Sequence, residues 1–221
     1  MNETKNISEI LSELSNHLMI NGSMVFFSGL LYGKLGISLF FFHYSRYTGN
    51  PLYNEYALHL VDLVKSQIHD DYPLDYERGL AGVGSGFEYL KKHGYFDVGE
   101  EMTHQIDSKI IKAVGYERRE NMLTEFRRYL TLRFESFPDV TIKDTLIQIE
   151  SYLSSPIETL IKEVPENRIT EIVNFFDLSD LDELFSKNHN FVLQGGYAGL
   201  GLALMSITDT QNDSWINLLQ I

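Results

Sequence analysis

The sequence predicts an all-α protein assembled from repeated helical hairpins with glycine-rich loops. Three observations lead there. Apolar residues recur at helical spacing along nearly the whole chain, no stretch has a persuasive strand–turn–strand pattern, and one glycine phrase occurs three times, each time directly ahead of an apolar helix pattern. The phrases are Gly33-Lys34-Leu35-Gly36-Ile37, Gly79-Leu80-Ala81-Gly82-Val83-Gly84 and Gly196-Tyr197-Ala198-Gly199-Leu200-Gly201. With the neighbouring Gly86 and Gly195 they hold ten of the chain's 16 glycines, so the glycine usage reports a repeat before it reports any single motif.

Ile7, Ile10, Leu11, Leu14 and Leu18 predict a first amphipathic helix ending near Asn21-Gly22. The first phrase leads into a helix with Leu39, Phe40, Phe41 and Phe42 in succession, apolar around most of its circumference and therefore packed on several sides. Thr48-Gly49-Asn50-Pro51 both ends that helix and starts the next: Gly49 suits the left-handed position after a helix, Asn50 a cap, Pro51 a first turn. The following helix carries Ala57, Leu60, Val61, Val64 and Ile68 on one stripe and is half exposed, which completes a hairpin of one inner and one outer helix.

The second phrase opens a short inner helix with Val83, Phe87 and Leu90, stopping at His93-Gly94. Asp97 and Glu100 have the spacing of a capping box ahead of an outer helix with the stripe Met102, Ile106, Ile110 and Val114. A worn copy starts at Met122, where Met and Glu stand in place of glycines; Gly33, Gly79 and Met122 are 46 and 43 residues apart, and Gly196 lies a further 74 on. Between them the stripes Ile142-Leu146-Ile149-Leu153, Ile157-Leu160-Ile161-Val164 and Ile169-Ile172-Val173-Phe176 predict additional helices, punctuated by Pro156 and Pro165. After the last phrase, Trp215, Leu218 and Leu219 are expected to dock the tail.

Composition narrows the chemistry. The 221 residues are 43% hydrophobic, enough for a real core in one domain spanning 1–221. A net charge of −13 argues against nucleic acid and anionic membrane as partners. The absence of cysteine removes disulfides, thiolate nucleophiles, iron–sulfur clusters and cysteine-bound zinc. The N-terminus lacks a signal-peptide pattern and the apolar runs are too short to cross a bilayer, which gives a soluble cytoplasmic protein as the expectation.

Glycine ahead of a helix costs conformational entropy, so its repetition needs a reason. The steric reason is sharp turning and close approach of inner helices. The functional alternative is an anion held by exposed N–H groups at the helix starts. A dinucleotide fingerprint requires a strand before the glycines; here helices precede them.

Paired helices repeating every 43 to 46 residues behind Gly-x-x-Gly phrases resemble the lanthionine synthetase C-like (LanC-like) proteins. The likeness covers residues 28–95, 121–134 and 190–219. It implies an α/α toroid, here partial or shortened, with the glycine loops near one end of a central cavity. It further implies an enzyme in which zinc, held by two cysteines and a histidine, activates a thiolate for thioether ring closure. The family's Cys-His-Gly aligns with Gln194-Gly195-Gly196, and the other cysteine ligand has no counterpart in a cysteine-free chain. The resemblance with that departure implies a LanC-like protein without metal, cofactor or cyclase activity, binding a peptide or protein partner. A chain with too few repeats to close a ring leaves apolar flanks, which makes a homodimer a further expectation.

Residues placed by the resemblance near the cavity mouth are Tyr32, Lys34, Tyr76, Glu77, Arg78, Gln194 and Tyr197. Glu77 reads as an ion-pair partner or a general base. None of the seven histidines has tight ligand spacing, and His43 reads as an interior residue. Five of eight arginines, Arg118, Arg119, Arg127, Arg128 and Arg133, fall within sixteen residues; interspersed Glu117, Glu120 and Glu125 make them a solvated face rather than a phosphate dock. The other function class is an α/α-barrel enzyme, glycan-active for example, using cavity acids and tyrosines; its signature is two carboxylates facing each other at hydrolytic separation.

Overall fold

The computed structural model describes residues 6–153, 167–187, 190–208 and 214–219. Among them every regular element is helical and no strand occurs. In chain order the α-helices are α1 (Ile7–Asn21), α2 (Lys34–Thr48), α3 (Pro51–Gln67), α4 (Leu80–Lys92), α5 (Glu100–Val114), α6 (Glu120–Ser136), α7 (Val140–Tyr152), α8 (Arg168–Asn174), α9 (Leu181–Lys187) and α10 (Tyr197–Thr208). Short 3-10 turns cover Gly22–Met24 and Ser214–Leu219. No described helix is long and apolar enough to cross a membrane. The predicted stripe at Ile157–Val164 lies outside the described residues.

The chain divides into two compact units, the first containing the described residues 6–67 and 167–219, the second 68–153. In the first, α2 packs on α3 and α10, and α1 on α10. Asn6 and Glu9 cap α1 reciprocally: the Ser8 N–H donates to Asn6 Oδ1 at 3.4 Å and the Asn6 N–H to Glu9 Oε2 at 3.2 Å. Along α2 every residue from Lys34 to Tyr44 is buried, as the continuous apolar run requires. Each buried Leu, Ile or Phe there contributes roughly 1.5–3 kcal/mol. Gly49 takes φ 69°, the Leu52 N–H donates to Asn50 Oδ1 at 3.1 Å, and α3 begins at Pro51, so the predicted stop and start coincide with the chain's path. Trp215 is fully buried and its Nε1–H donates to Ser206 Oγ at 3.0 Å, fixing the tail to α10.

In the second unit α4 packs on α6 and α5, and α7 on α6 and α5. α4 stops at His93 and Gly94, the latter at φ 64°. The start of α5 differs from the capping box predicted at Asp97. The Asp97 carboxylate accepts the Gly99 N–H at 2.9 Å, and Gly99, at φ 87°, is the residue before the helix. Asp97 forms a local turn two residues upstream instead of capping, because glycine can take the left-handed backbone that brings Glu100 into the first turn. α6 starts at Glu120, two residues before Met122, and buries Leu123, Phe126, Arg127, Tyr129, Leu130 and Arg133.

Each unit contains one close helix contact of the same kind. A Cβ on Gly201 of α10 would lie 2.3 Å from the Phe40 ring of α2, and a Cβ on Gly84 of α4 would lie 2.3 Å from the Tyr129 ring of α6. Both glycines stand five residues into their phrases, after Gly196 and Gly79; both aromatics stand seven residues after a copy start, Gly33 and Met122.

Candidate functional site

The three glycine phrases share one backbone construction. The first N–H of each helix donates to a carbonyl seven residues upstream: Lys34 to Phe27 at 2.9 Å, Leu80 to Pro73 at 2.8 Å, Tyr197 to Asn190 at 2.9 Å. In the first two the next N–H does the same, Leu35 to Ser28 at 3.3 Å and Ala81 to Leu74 at 3.2 Å. The preceding loop therefore folds back over the helix start and closes against it.

Glycine is needed there for space rather than for backbone angle, since Gly33 and Gly79 are extended at φ −151° and −104°. A Cβ on Gly33, Gly79 or Gly196 would lie 2.4, 2.5 or 2.5 Å from loop backbone atoms, which cannot swing aside as a side chain could. Gly36 and Gly199 are equally confined, by the carbonyls of Leu30 at 2.3 Å and Leu193 at 2.1 Å. The loop thus occupies the first N–H of each helix, and in two phrases the second, which takes away donors that the anion-cradle alternative would use.

The residues assigned to a cavity mouth fall in different environments. Lys34 is 3% exposed; its ammonium donates to the Val25 carbonyl at 2.5 Å, to Gln67 Oε1 at 3.2 Å and to the Phe26 carbonyl at 3.4 Å. All three acceptors are neutral, and burial lowers its pKa. Tyr197 is buried and its hydroxyl donates to the Leu184 carbonyl at 2.9 Å. Gln194 and Tyr32 are half-buried, and the Gln194 N–H donates to the Leu31 carbonyl at 3.0 Å, tying the loop of the last phrase to that of the first.

In the second unit Tyr76 is fully buried while Glu77 and Arg78 are exposed. The Tyr76 N–H donates to Glu125 Oε2 at 2.9 Å and its ring lies 4.2 Å beneath the Arg128 guanidinium. Burial raises the Glu125 carboxyl above its ordinary value, against the Tyr76 N–H, which lowers it. Glu125 and Arg128 belong to the arginine-rich stretch, which is a solvated face at the exposed Arg118 and Arg119, as expected, but is structural at Arg127 and Arg133, which are buried. Arg118 lies over the Tyr152 ring at 4.4 Å, Arg119 pairs with Glu117 at 2.6 Å, Arg127 pairs with Glu150 at 3.1 Å, and Arg133 is fully buried.

Arg133 centres the main polar cluster of this unit. Its guanidinium reaches Glu88 at 3.3 Å, Asp107 at 3.1 Å and Glu100 at 2.7 Å. The Tyr129 hydroxyl donates to Asp107 at 2.6 Å, the Ser136 hydroxyl donates to Glu88, and Lys91 pairs with Glu100 at 2.6 Å. Lys91 first and then Arg133 hold the Glu100 carboxyl at about 2. Burial raises that of Glu88, against Ser136 and Arg133. Burial opposes the charge on Arg133, but its bonds to Glu100 and Asp107 outweigh that and raise its pKa. The sequence carried a signal for this cluster: Arg133 continues the Leu123-Phe126-Leu130 stripe, and Asp107 sits between Ile106 and Ile110, so charges occupy core positions.

The cluster approaches solvent at His104, whose Nδ1 lies 3.6 Å from Asp107 and Nε2 4.0 Å from Glu100. Open grooves of about 660 and 500 Å³ share His104 and Ser108 in their linings. A base for nucleophile activation needs an imidazole nitrogen hydrogen-bonded to an orienting carboxylate. Here both separations exceed a hydrogen bond, and the Asp107 oxygens already accept from Tyr129 and Arg133. The three carboxylates converge on a guanidinium rather than on open space, so the arrangement locks helices together. Among the described residues no group of three or more His, Asp or Glu side chains is arranged to hold a metal ion. Comparison with known families, curated proteins and solved structures finds no match.

Proposed function

We propose that this chain is a LanC-like helical protein of the cytoplasm that binds a peptide or protein partner and carries no zinc-dependent thioether cyclase activity. Its hairpins are, in this reading, segments of a shortened α/α toroid. The observation that carries it is the loop built three times around the starts of buried helices, with the first glycine of each phrase confined by loop backbone. Confined glycines at the starts of buried helices support this reading, while the zinc chemistry of the family has no counterpart: the chain has no cysteine, and Gln194-Gly195 stand at the ligand positions of the last phrase.

Binding without ring closure separates this reading from an enzymatic one. The purified chain is expected to bind a peptide containing cysteine and dehydroalanine while leaving its thiols free, and to retain no stoichiometric zinc after dialysis. One tightly held zinc per chain, together with thiol consumption that a chelator abolishes, overturns it.

A further inference from the structure

We propose that Ile20, Met24, Phe26 and Phe27 of the first unit form a contact surface for an apolar segment of a partner polypeptide that carries basic residues beside it. This rests on the peptide-binding reading above and adds the place and the chemistry of the partner.

These side chains are 72%, 81%, 82% and 39% exposed. Ile20 lies at the end of α1 and Met24 at the end of the 3-10 turn that follows, and the Phe26 and Phe27 rings meet edge to face at 5.1 Å. Four exposed large apolar side chains thus fall within eight residues of the chain, and clustered exposed apolar surface marks an interaction site more often than a scattered residue does.

Its frame is held from beneath. Lys34 Nζ takes the carbonyls of Val25 and Phe26, the Lys34 and Leu35 N–H groups take those of Phe27 and Ser28, and the Val25 N–H donates to the Gly22 carbonyl. The four successive carbonyls of residues 25–28 are anchored to α2, so Phe26 and Phe27 sit on a backbone that needs little further ordering when a partner arrives. Thus the first glycine phrase, besides starting α2, presents this loop.

Charge selects the occupant. The chain carries 31 acids against 18 bases. Within this unit Glu9, Glu55, Asp62, Glu171, Asp177, Asp180 and Glu183 are exposed, whereas of the bases Arg46 is exposed, Lys65 and Arg168 are half-buried and Lys34 is buried. A second copy and an anionic membrane share that sign and are repelled; a segment with lysines or arginines beside its apolar residues is drawn in. The apolar centre then supplies the anchoring contacts and the basic flanks supply the rim.

The test uses the full chain and two labelled probes, a short alternating leucine–lysine peptide and its leucine–glutamate counterpart, followed by fluorescence anisotropy. The wild-type chain is expected to bind the lysine peptide over the glutamate peptide. The double variant Met24→Ser/Phe26→Ser, which leaves the charge unchanged, is expected to bind it about tenfold more weakly, with the emission of Trp215 unaltered as a check on the fold. Equal binding by wild-type and variant overturns this surface while leaving the peptide-binding reading in place. Failure of the wild-type chain to bind either peptide overturns both. Equal affinity for the two peptides removes the basic partner, and a wild-type dimer that the double variant disperses assigns the surface to a second copy instead.

Discussion

The two units solve one packing problem with different chemistry. In the first, Gly201 of α10 lets the Phe40 ring of α2 approach, and the neighbours Leu39, Phe41, Leu200 and Leu204 are apolar and buried. In the second, Gly84 of α4 admits the Tyr129 ring of α6 at the same spacing, but around it Glu88, Asp107, Arg127 and Arg133 are buried as well. A single hydroxyl joins contact and charge, since Tyr129 donates to Asp107 where Phe40 has nothing to donate. The difference shows that the glycine–aromatic contact sets how closely two helices lie, and that the space around it accepts either an apolar filling or an ionic one.

The largest effect separating the units is expected from Arg133→Met. It leaves the Glu88 and Asp107 carboxylates without their cation and should cost about 3–5 kcal/mol, as breaking a buried pair does. Urea denaturation with hydrogen exchange resolved by helix should place the loss in α4–α7, while Trp215, in the other unit, keeps its buried emission. A loss below about 1 kcal/mol would mean that the cluster is hydrated and worth no more than a surface pair.

Gly84→Ala and Gly201→Ala come next, each about 1–3 kcal/mol from forcing a methyl group against a ring. The second-site changes should then part company. Phe40→Leu relieves Gly201→Ala, whereas Tyr129→Leu fails to relieve Gly84→Ala because it strips a hydrogen bond from buried Asp107. Equal rescue in both would break the comparison.

Acid should distinguish the units more gently. The folded Glu100 carboxyl titrates at about 2, below its ordinary 4.5, so its contribution is present above 4.5 and is lost as pH falls toward 2. Glu88 is shifted upward by burial, so its contribution has the opposite sign, present at low pH and fading as pH rises through its folded value. Glu100→Gln is therefore expected to flatten the acid-side decline of the second unit in denaturation midpoints measured between pH 2 and 6. Parallel curves for variant and wild type would take Glu100 out of the explanation. Smallest of all is Lys92→Gln, which removes an exposed pair with Glu135 at 3.5 Å and should change stability by about 0.5 kcal/mol or less.

Periodicity and punctuation made most of the helices legible. The stripe of α1, the all-round burial of α2 and the Gly49-Asn50-Pro51 junction follow from local rules that nothing tertiary overrides. The start of α5 was misread because aspartate serves a turn as readily as a cap, and only the backbone angle of Gly99 decides between them. The role of the arginines was hidden for a different reason. Interspersed acids look like a solvated face, and burial of Arg127 and Arg133 depends on partners 23 to 45 residues away, Glu150, Asp107, Glu100 and Glu88. The proposed likeness to LanC-like proteins rests on glycine phrases whose first glycine meets loop backbone in each case, and those phrases do not specify the partner proposed for the chain.

The seven-residue spacing of the loop hydrogen bonds also decides where this polypeptide can be cut and rejoined. A helix whose opening N–H groups are held by carbonyls from its own leader cannot be separated from that leader, so residues 27–34, 73–80 and 190–197 each behave as part of the helix behind them. Gly49 is the contrasting joint: exposed, left-handed at φ 69°, with nothing within 4 Å of where a side chain would stand. New termini or an inserted tag placed there should leave a folded chain, whereas the same operation just before Gly33, Gly79 or Gly196 removes the start of a buried helix along with its loop.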